Sequence, residues 1–168
     1  MALPHFKKQT NTVTSVNYQT PTWLWKKIDK AYNFCTDPCT FPNNPLNTPL
    51  FFTEETNGLD SRKWKGNVYI NPPYYQKDLM KWSREAALYA LFHQDNVVVM
   101  LVPAKTEQFW FQDLLCKNNV KFYFLHDRLK FENTKSSATF SSILVIFNDK
   151  VFDTYGSEII VENVFDKD

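Results

Sequence analysis

The stretch Asn67-Val68-Tyr69-Ile70-Asn71-Pro72-Pro73-Tyr74-Tyr75 decides how the rest of the chain is read. Val68, Tyr69 and Ile70 form a short run of β-branched and aromatic residues, which predicts a buried strand. Two prolines end it: neither donates a backbone N–H, and each fixes φ near about −65°, so a sheet ladder stops there. The result is a rigid corner at the carboxyl end of a strand, where open α/β sheets place their ligands. At the corner stand the side-chain amide of Asn71, the carbonyl of Pro72 and the ring of Tyr74. Two acceptors beside a stacking face suit a planar group that carries an NH2. Such an amine is a poor nucleophile, because its lone pair is delocalised into the neighbouring ring or carbonyl. Accepting hydrogen bonds from both of its N–H groups favours a tetrahedral nitrogen, aims the lone pair and stabilises the charge that develops on attack. A plain Pro-Pro turn after a strand is the structural alternative, and four residues alone leave the two readings balanced.

Upstream of the corner, Thr20-Pro21 reads as a capping residue followed by proline at the first helical position. Trp23, Leu24, Ile28, Ala31 and Tyr32 then keep an apolar face to about Tyr32, with Lys26, Lys27 and Lys30 outward. Residues 1–17 are polar and without periodicity, and read as a flexible N-terminal arm preceding a single domain, 18–168. A short strand is expected over Phe34–Asp37 and a second around Leu50–Thr53, separated by a Pro/Asn-rich loop. Asn57-Gly58-Leu59 marks a turn. Arg62, Lys63 and Lys65 surround Trp64, a pattern shared by nucleic-acid contacts and by a surface loop with one anchoring tryptophan.

Downstream, Lys77–His93 has helical spacing through Leu79, Trp82, Ala86, Tyr89 and Ala90. Val97–Val102 is a continuous apolar run, as expected of a strand covered on both faces and ended by Pro103. Glu107–Lys117 predicts a helix with Phe109, Trp110, Leu114 and Leu115 inward. Val120–Leu125 and Ser141–Phe147 are strand-like. The basic segment His126–Ala138 between them (Arg128, Lys130, Lys135) is expected to be mobile toward its Ser-Ser-Ala end, and Val151–Phe165 to supply a late edge strand or hairpin. Strands alternating with helices argue for a mostly parallel, doubly wound sheet with the Asn71 corner near its topological switch point.

Composition sets the outer bounds. The 168 residues, 43% hydrophobic and 17% aromatic, suffice for one well-filled core. A net charge of +1 means that polyanion contact has to come from local patches. Three cysteines, none in a paired CxxC, suggest a reducing compartment. Cys35 and Cys39 have no second pair or nearby His to complete a zinc site, so no metal is expected. No apolar run reaches membrane-spanning length and the N-terminus lacks a signal-peptide core, which predicts a soluble, cytoplasmic protein with no membrane partner.

The order of the motifs carries a resemblance. Thr20-Pro21 comes before a helix and Asp37-Pro38-Cys39 after a strand. Asn57-Gly58-Leu59, Trp64-x-Gly66 and Asn71-Pro72-Pro73-Tyr74 follow. Then come Leu101-Val102-Pro103-Ala104-Lys105 with Trp110-Phe111, and Arg128-Leu129-Lys130-Phe131 leading to Leu144-Val145-Ile146-Phe147. The series, over roughly residues 20–147, resembles the phage-type, Dam-like DNA N6-adenine methyltransferases. That resemblance implies an α/β, Rossmann-like S-adenosylmethionine-dependent methyltransferase fold with an antiparallel strand near the C-terminus. It implies S-adenosylmethionine as methyl donor, DNA as substrate and, for a phage-encoded enzyme, the host cytoplasm as location.

Carried over residue by residue, Asp37, Pro38 and Cys39 would line the methionine end of the cofactor and Thr20 and Pro21 would flank it. Asn57, Gly58 and Leu59 would approach its adenine. Asn71 and Pro72 would hold the target amine, with Pro73 completing the corner, and Tyr74 would stack on a flipped base. Lys63, Lys65, Lys105, Arg128 and Lys130 are the DNA-contact candidates. Asn57 stands where aspartate is expected and Lys105 where arginine is expected, and residues 37–57 contain no glycine. Asn-Pro-Pro-Tyr suits equally the N4 of cytosine, RNA adenine or a protein glutamine, and a catalytically degenerate nucleic-acid-binding relative is the non-enzymatic alternative. With no room for a separate recognition domain, specificity falls to the loops at 38–66 and 126–139, or to a second subunit in a homodimer.

Overall fold

The structure is a computed structural model, and it describes residues 18–115, 120–150 and 159–160. The expected arm at 1–17 and most of the expected hairpin at 151–165 lie outside the described residues. In chain order the elements are α1 (Thr22–Tyr32), β1 (Thr36–Asp37), β2 (Leu50–Phe51), a 3-10 turn (Ser61–Lys63) and β3 (Val68–Ile70). There follow α2 (Gln76–Phe92), β4 (Val98–Pro103), α3 (Phe109–Leu115), β5 (Val120–Phe124), β6 (Ser142–Phe147) and β7 (Ile159–Ile160).

The strands form one mixed sheet in the order β2-β1-β3-β4-β6-β5-β7. Every strand points the same way except β6, which is antiparallel to both β4 and β5. The connection from β1 leads out to β2 on one side, and the next one returns to place β3 on the other side of β1. The chain therefore diverges between β1 and β3, and a crevice opens at the carboxyl ends of strands that part in this way. Asp37 ends β1 and Asn71 follows β3, so the two sites singled out in the sequence meet at that point.

The middle of the sheet explains why it holds. All six residues of β4 and all six of β6 are buried, and burying a Val or Leu side chain is worth about 1.5–3 kcal/mol. Pro103 remains inside the ladder opposite Ser142, and the N–H of Ala104 still donates to the Ser141 carbonyl at 2.8 Å. The strand therefore ends one residue later than expected, because the missing N–H falls on its last rung. Asn67, ahead of β3, donates to the Tyr32 carbonyl and accepts from the Val97 N–H at 2.8 Å. One side chain thus fastens the end of α1 to the start of β4. Gly66, at φ 58°, lies where a Cβ would come within 2.9 Å of the Cys35 Cβ, so only glycine makes this turn without displacement.

Several details differ from the sequence expectations. In α1 the buried stripe is Leu24, Ile28 and Tyr32, while Ala31 is exposed. Pro21 is the cap itself, held extended at ψ 132°, and Thr20 does not cap the helix. Instead the Thr22 N–H donates to the Glu132 carboxylate at 2.6 Å, so a loop more than a hundred residues away caps α1. Phe109 of α3 is 58% exposed, and Phe111 joins Trp110 and Leu114 in the core in its place. Trp64 is buried, donates to the Gly58 carbonyl at 2.8 Å and stacks parallel to Trp82, which makes it the loop's anchor. The 126–138 segment, expected to be mobile toward its end, is pinned by buried Leu129, Phe131 and Ala138, and the Ala138 N–H donates to the Leu129 carbonyl.

Candidate active site

Asn71 has its amide held from both ends. Its Nδ2 donates to the Tyr18 carbonyl at 2.8 Å and to Thr20 Oγ1 at 3.1 Å. Its Oδ1 accepts from the Tyr74 hydroxyl at 2.8 Å. Thr20 Oγ1 is in turn within 2.8 Å of the Tyr69 hydroxyl, which projects from the strand before the corner. A carbonyl oxygen has two lone pairs, so Oδ1 keeps one for a further donor. The side chain thus presents a fixed acceptor at the end of β3, next to the rigid Pro72-Pro73 step. The phenols of Tyr69 and Tyr74 are pushed upward by burial and stay neutral.

On the neighbouring strand end, the Asp37 carboxyl is buried. It accepts from the Cys39 N–H at 3.1 Å and from the Thr40 side chain, and no cation pairs with it among the described residues. Loss of hydration dominates these bonds and pushes its pKa up to about 7. Burial also raises the Cys39 thiol, with Asp37 and Asp78 adding to the effect, so the thiol is protonated and unreactive at neutral pH. Cys39 lies near enough to Tyr74 to add to the upward push on its phenol, so the Asp37 and Asn71 ends of the crevice adjoin.

The 57–59 turn closes on the same place. A Cβ on Gly58 would fall 1.8 Å from the Pro38 carbonyl oxygen, so glycine here lets the turn pack directly on the backbone after Asp37. Asn57 has φ 50° and its Oδ1 accepts from the Leu59 N–H at 3.3 Å. Asparagine tolerates that left-handed geometry and caps its own turn, which is a local reason for an amide where aspartate was expected. Thr20 was expected to flank a cofactor, yet its hydroxyl serves Asn71 and Tyr69.

Tyr74 requires a correction. It was expected to offer a ring face for stacking, but it is 6% exposed and belongs to a closed aromatic cluster. Tyr18 lies 5.4 Å away, Phe140 5.7 Å and Phe131 6.3 Å, and Tyr18 stacks on Phe131 at 4.5 Å. Tyr18, Phe131 and Phe140 escaped the sequence reading because they come from three separate segments. The only signal available was the aromatic in Arg128-Leu129-Lys130-Phe131.

Among the basic candidates, Lys105 follows β4, and Arg128 and Lys130 follow β5, so all three sit at the carboxyl edge with Asn71. Lys63 donates to the Asn57 carbonyl at 3.2 Å, beside the Gly58 turn. Lys65 does not join them. Its carbonyl accepts from Thr36 Oγ1 at 2.7 Å, which places it at the amino edge, across β3 from Asn71.

Among the described residues no group of His, Cys, Asp and Glu could hold a metal ion, and no helix is long and apolar enough to cross a membrane. No curated protein and no solved structure matches the chain. A family model does: that of the DNA N-6-adenine-methyltransferases (Dam) matches residues 7–161 and takes in every strand of the sheet and the whole Asn71 corner. The chain belongs to the DNA N-6-adenine-methyltransferase (Dam) family.

Proposed function

We propose that this chain transfers a methyl group from S-adenosylmethionine to N6 of an adenine in DNA, on a Rossmann-like methyltransferase sheet in which β6 is the antiparallel strand. The observation that carries the reading is the locked amide of Asn71, whose Oδ1 keeps a free lone pair at the carboxyl end of β3, next to the Asp37 crevice. Oδ1 of Asn71 and the Pro72 carbonyl accept the two N–H groups of the target amine and stabilise its developing charge. The rigid Pro72-Pro73 step keeps the two acceptors from drifting apart.

The buried Asp37 carboxyl, without a cation of its own, fits the ammonium group of the cofactor's methionine end. Pro38 and Cys39 continue that wall, and Asn57, Gly58 and Leu59 supply the turn that faces the adenine end, with Pro21 and Thr20 at its margin. Bound there, S-adenosylmethionine supplies an activated methyl group on its sulfonium, and the residues contribute alignment and acceptors. An adenine in a duplex has to leave its stack to reach Asn71. Stacking that base on Tyr74 requires the ring cluster with Tyr18 and Phe131 to open. Lys63, Lys105, Arg128 and Lys130 hold the DNA backbone around the crevice.

Incubation with labelled S-adenosylmethionine and, separately, DNA, RNA and protein, followed by mass spectrometry of the product, tests the reading. N6-methyladenine in DNA is the expected product, and Asn71→Ala lowers its formation by about 10²–10³. Label in RNA or protein alone, or an Asn71→Ala enzyme with wild-type turnover, refutes it.

A further inference from the structure

The proposed function leaves unused the outer face of α2, the helix that starts at the Asn71 corner. Tyr75, Gln76, Lys77, Met80, Lys81 and Arg84 line an open groove of about 720 Å³ there. Lys77, Lys81 and Arg84 recur at the i, i+4, i+7 spacing that puts them on one stripe, and all three are exposed. The two acidic residues of α2, Asp78 and Glu85, lie one turn to either side of Lys81 on the flank of this stripe and have partners of their own. Asp78 bears on Cys39 at the crevice, and Glu85 accepts from the Ser61 N–H at 3.0 Å. No ion pair engages the three cations among the described residues. The lining of the groove thus carries three cations and no carboxylate, on a chain whose net charge is +1.

Helix stability does not account for the patch. Tyr75 occupies the N-cap without a side-chain hydrogen bond, where Ser, Asp or Asn would stabilise the helix by about 1 kcal/mol. The Tyr75 side chain is instead 49% exposed. Lys77 sits in the first turn, where a cation opposes the helix dipole. Asp78 in the same turn offsets that cation, so the rule that this helix start breaks is the missing cap, beside a candidate site, where functional demands compete with local ones.

We infer that the Lys77, Lys81 and Arg84 stripe is a tracking surface for the DNA phosphate backbone, leading the strand to the Asn71 corner; this rests on the reading of the chain as a DNA methyltransferase. The geometry fits a polyanion. Seven residues of helix cover about 10 Å, an axial length over which one strand of B-DNA presents about three phosphates. The stripe starts within six residues of Asn71 and descends α2 away from it. Tyr75 and Met80 add apolar surface to the lining of the same groove.

The test is fluorescence anisotropy of a duplex DNA over a salt series, with the full chain. The variants are Lys77→Gln/Lys81→Gln/Arg84→Gln, its charge-keeping counterpart Lys77→Arg/Lys81→Arg, and the control Lys26→Gln/Lys30→Gln/Lys150→Gln, which removes the same charge elsewhere. Each phosphate contact contributes about 0.9 to the slope of log affinity against log salt. The stripe variant is therefore expected to lose about two to three units of slope, with the control and the arginine variant close to wild type. A stripe variant that keeps the wild-type slope, or a control that loses as much, overturns the surface while leaving methylation of DNA by the wild type intact. A wild type that neither binds nor methylates DNA overturns the function reading, and this inference with it.

Discussion

Asp37 makes the Asn71 crevice answerable to pH. Its carboxyl is buried without a cation and its pKa is pushed up to about 7 by burial, against an ordinary value of 3.8. A carboxyl whose pKa is raised on folding holds its proton in the folded state where the unfolded chain would release it. Its contribution to stability therefore falls as pH rises from about 4 to about 7, by about 4 kcal/mol in all at 1.36 kcal/mol per unit. An ammonium group in the crevice reverses that cost, since it selects the ionised carboxylate. At pH 5 about one molecule in a hundred carries the carboxylate before binding, and at pH 7 about half do.

Affinity for S-adenosylhomocysteine is thus expected to tighten by roughly fiftyfold between pH 5 and pH 7, with close to one proton released per molecule bound in the lower part of that range. The ligand's own carboxylate and ammonium keep their charges over this range, so the protein is the source of the dependence. Titration calorimetry in two buffers of different ionisation enthalpy reads both quantities. Asp37→Asn is expected to bind weakly, with a flat pH profile and no proton release. A wild-type affinity that does not change between pH 5 and 7 would remove Asp37 from the cofactor site, whatever the variant does.

Tyr74→Phe deletes the hydroxyl that bonds Asn71 and keeps the ring cluster; we expect turnover to fall up to about tenfold with Tm nearly unchanged, whereas Tyr74→Ala empties a buried ring site, costs about 3–5 kcal/mol and lowers Tm on the order of 10 °C. A Tyr74→Ala protein that melts with wild type would return the ring to a substrate-facing role. Thr20→Val removes the hydroxyl shared by Asn71 and Tyr69, and is expected to lower kcat while leaving S-adenosylhomocysteine affinity within about twofold; weaker binding at unchanged kcat would make Thr20 a cofactor contact instead. Away from the site, the buried Asp149 carboxylate accepts from Tyr32 and Tyr123 and faces Lys121 at 3.5 Å. Asp149→Ala should destabilise by about 3–5 kcal/mol, and adding Lys121→Met should recover part of that, as read from urea midpoints.

What the sequence conveyed and what it withheld divide along sequence separation. The Asn71 corner was legible because Pro72 and Pro73 act locally on the strand that precedes them. β4 was legible because six consecutive apolar residues admit few other environments, and α2 because its period is unbroken. In α3, Phe109-Trp110-Phe111 satisfies a helical period in two phases, and the packing of Phe111 on Phe122 at 5.2 Å belongs to the fold, not to the local pattern. Glu132 capping α1 and Tyr18 stacking on Phe131 join positions more than a hundred residues apart, and no spacing within either segment points to the other. Lys65 was grouped with the DNA-contact candidates by composition, and the direction of β3 carries it to the opposite edge.

Those long-range contacts bear on the proposed role of Asn71 because an asparagine amide is ambiguous. Rotated by half a turn, Asn71 would present Nδ2 to the target amine, donor against donor, and the acceptor would be lost. In the observed rotamer Nδ2 meets the Tyr18 carbonyl, which can only accept, and the flipped rotamer would set Oδ1 against it; the Thr20 and Tyr74 hydroxyls can turn to serve either rotamer, so the Tyr18 carbonyl is what decides the orientation. Losing that bond and leaving the carbonyl unpaired costs about 1–3 kcal/mol, which holds the flipped form to a minority. Two of the three partners lie on the 18–20 segment, which has no strand or helix of its own to keep it in place. It is kept there by the 126–140 loop: Gln19 donates to Asn133 at 3.0 Å, Glu132 donates to the Gln19 carbonyl at 3.0 Å, and Phe131 underlies the Tyr18 ring. The orientation of the acceptor thus depends on the loop that also carries Arg128 and Lys130. On the proposed reading, a DNA backbone drawing on those two cations would pull on the same segment that aims Asn71, and would so couple the seating of the substrate to the setting of the amide.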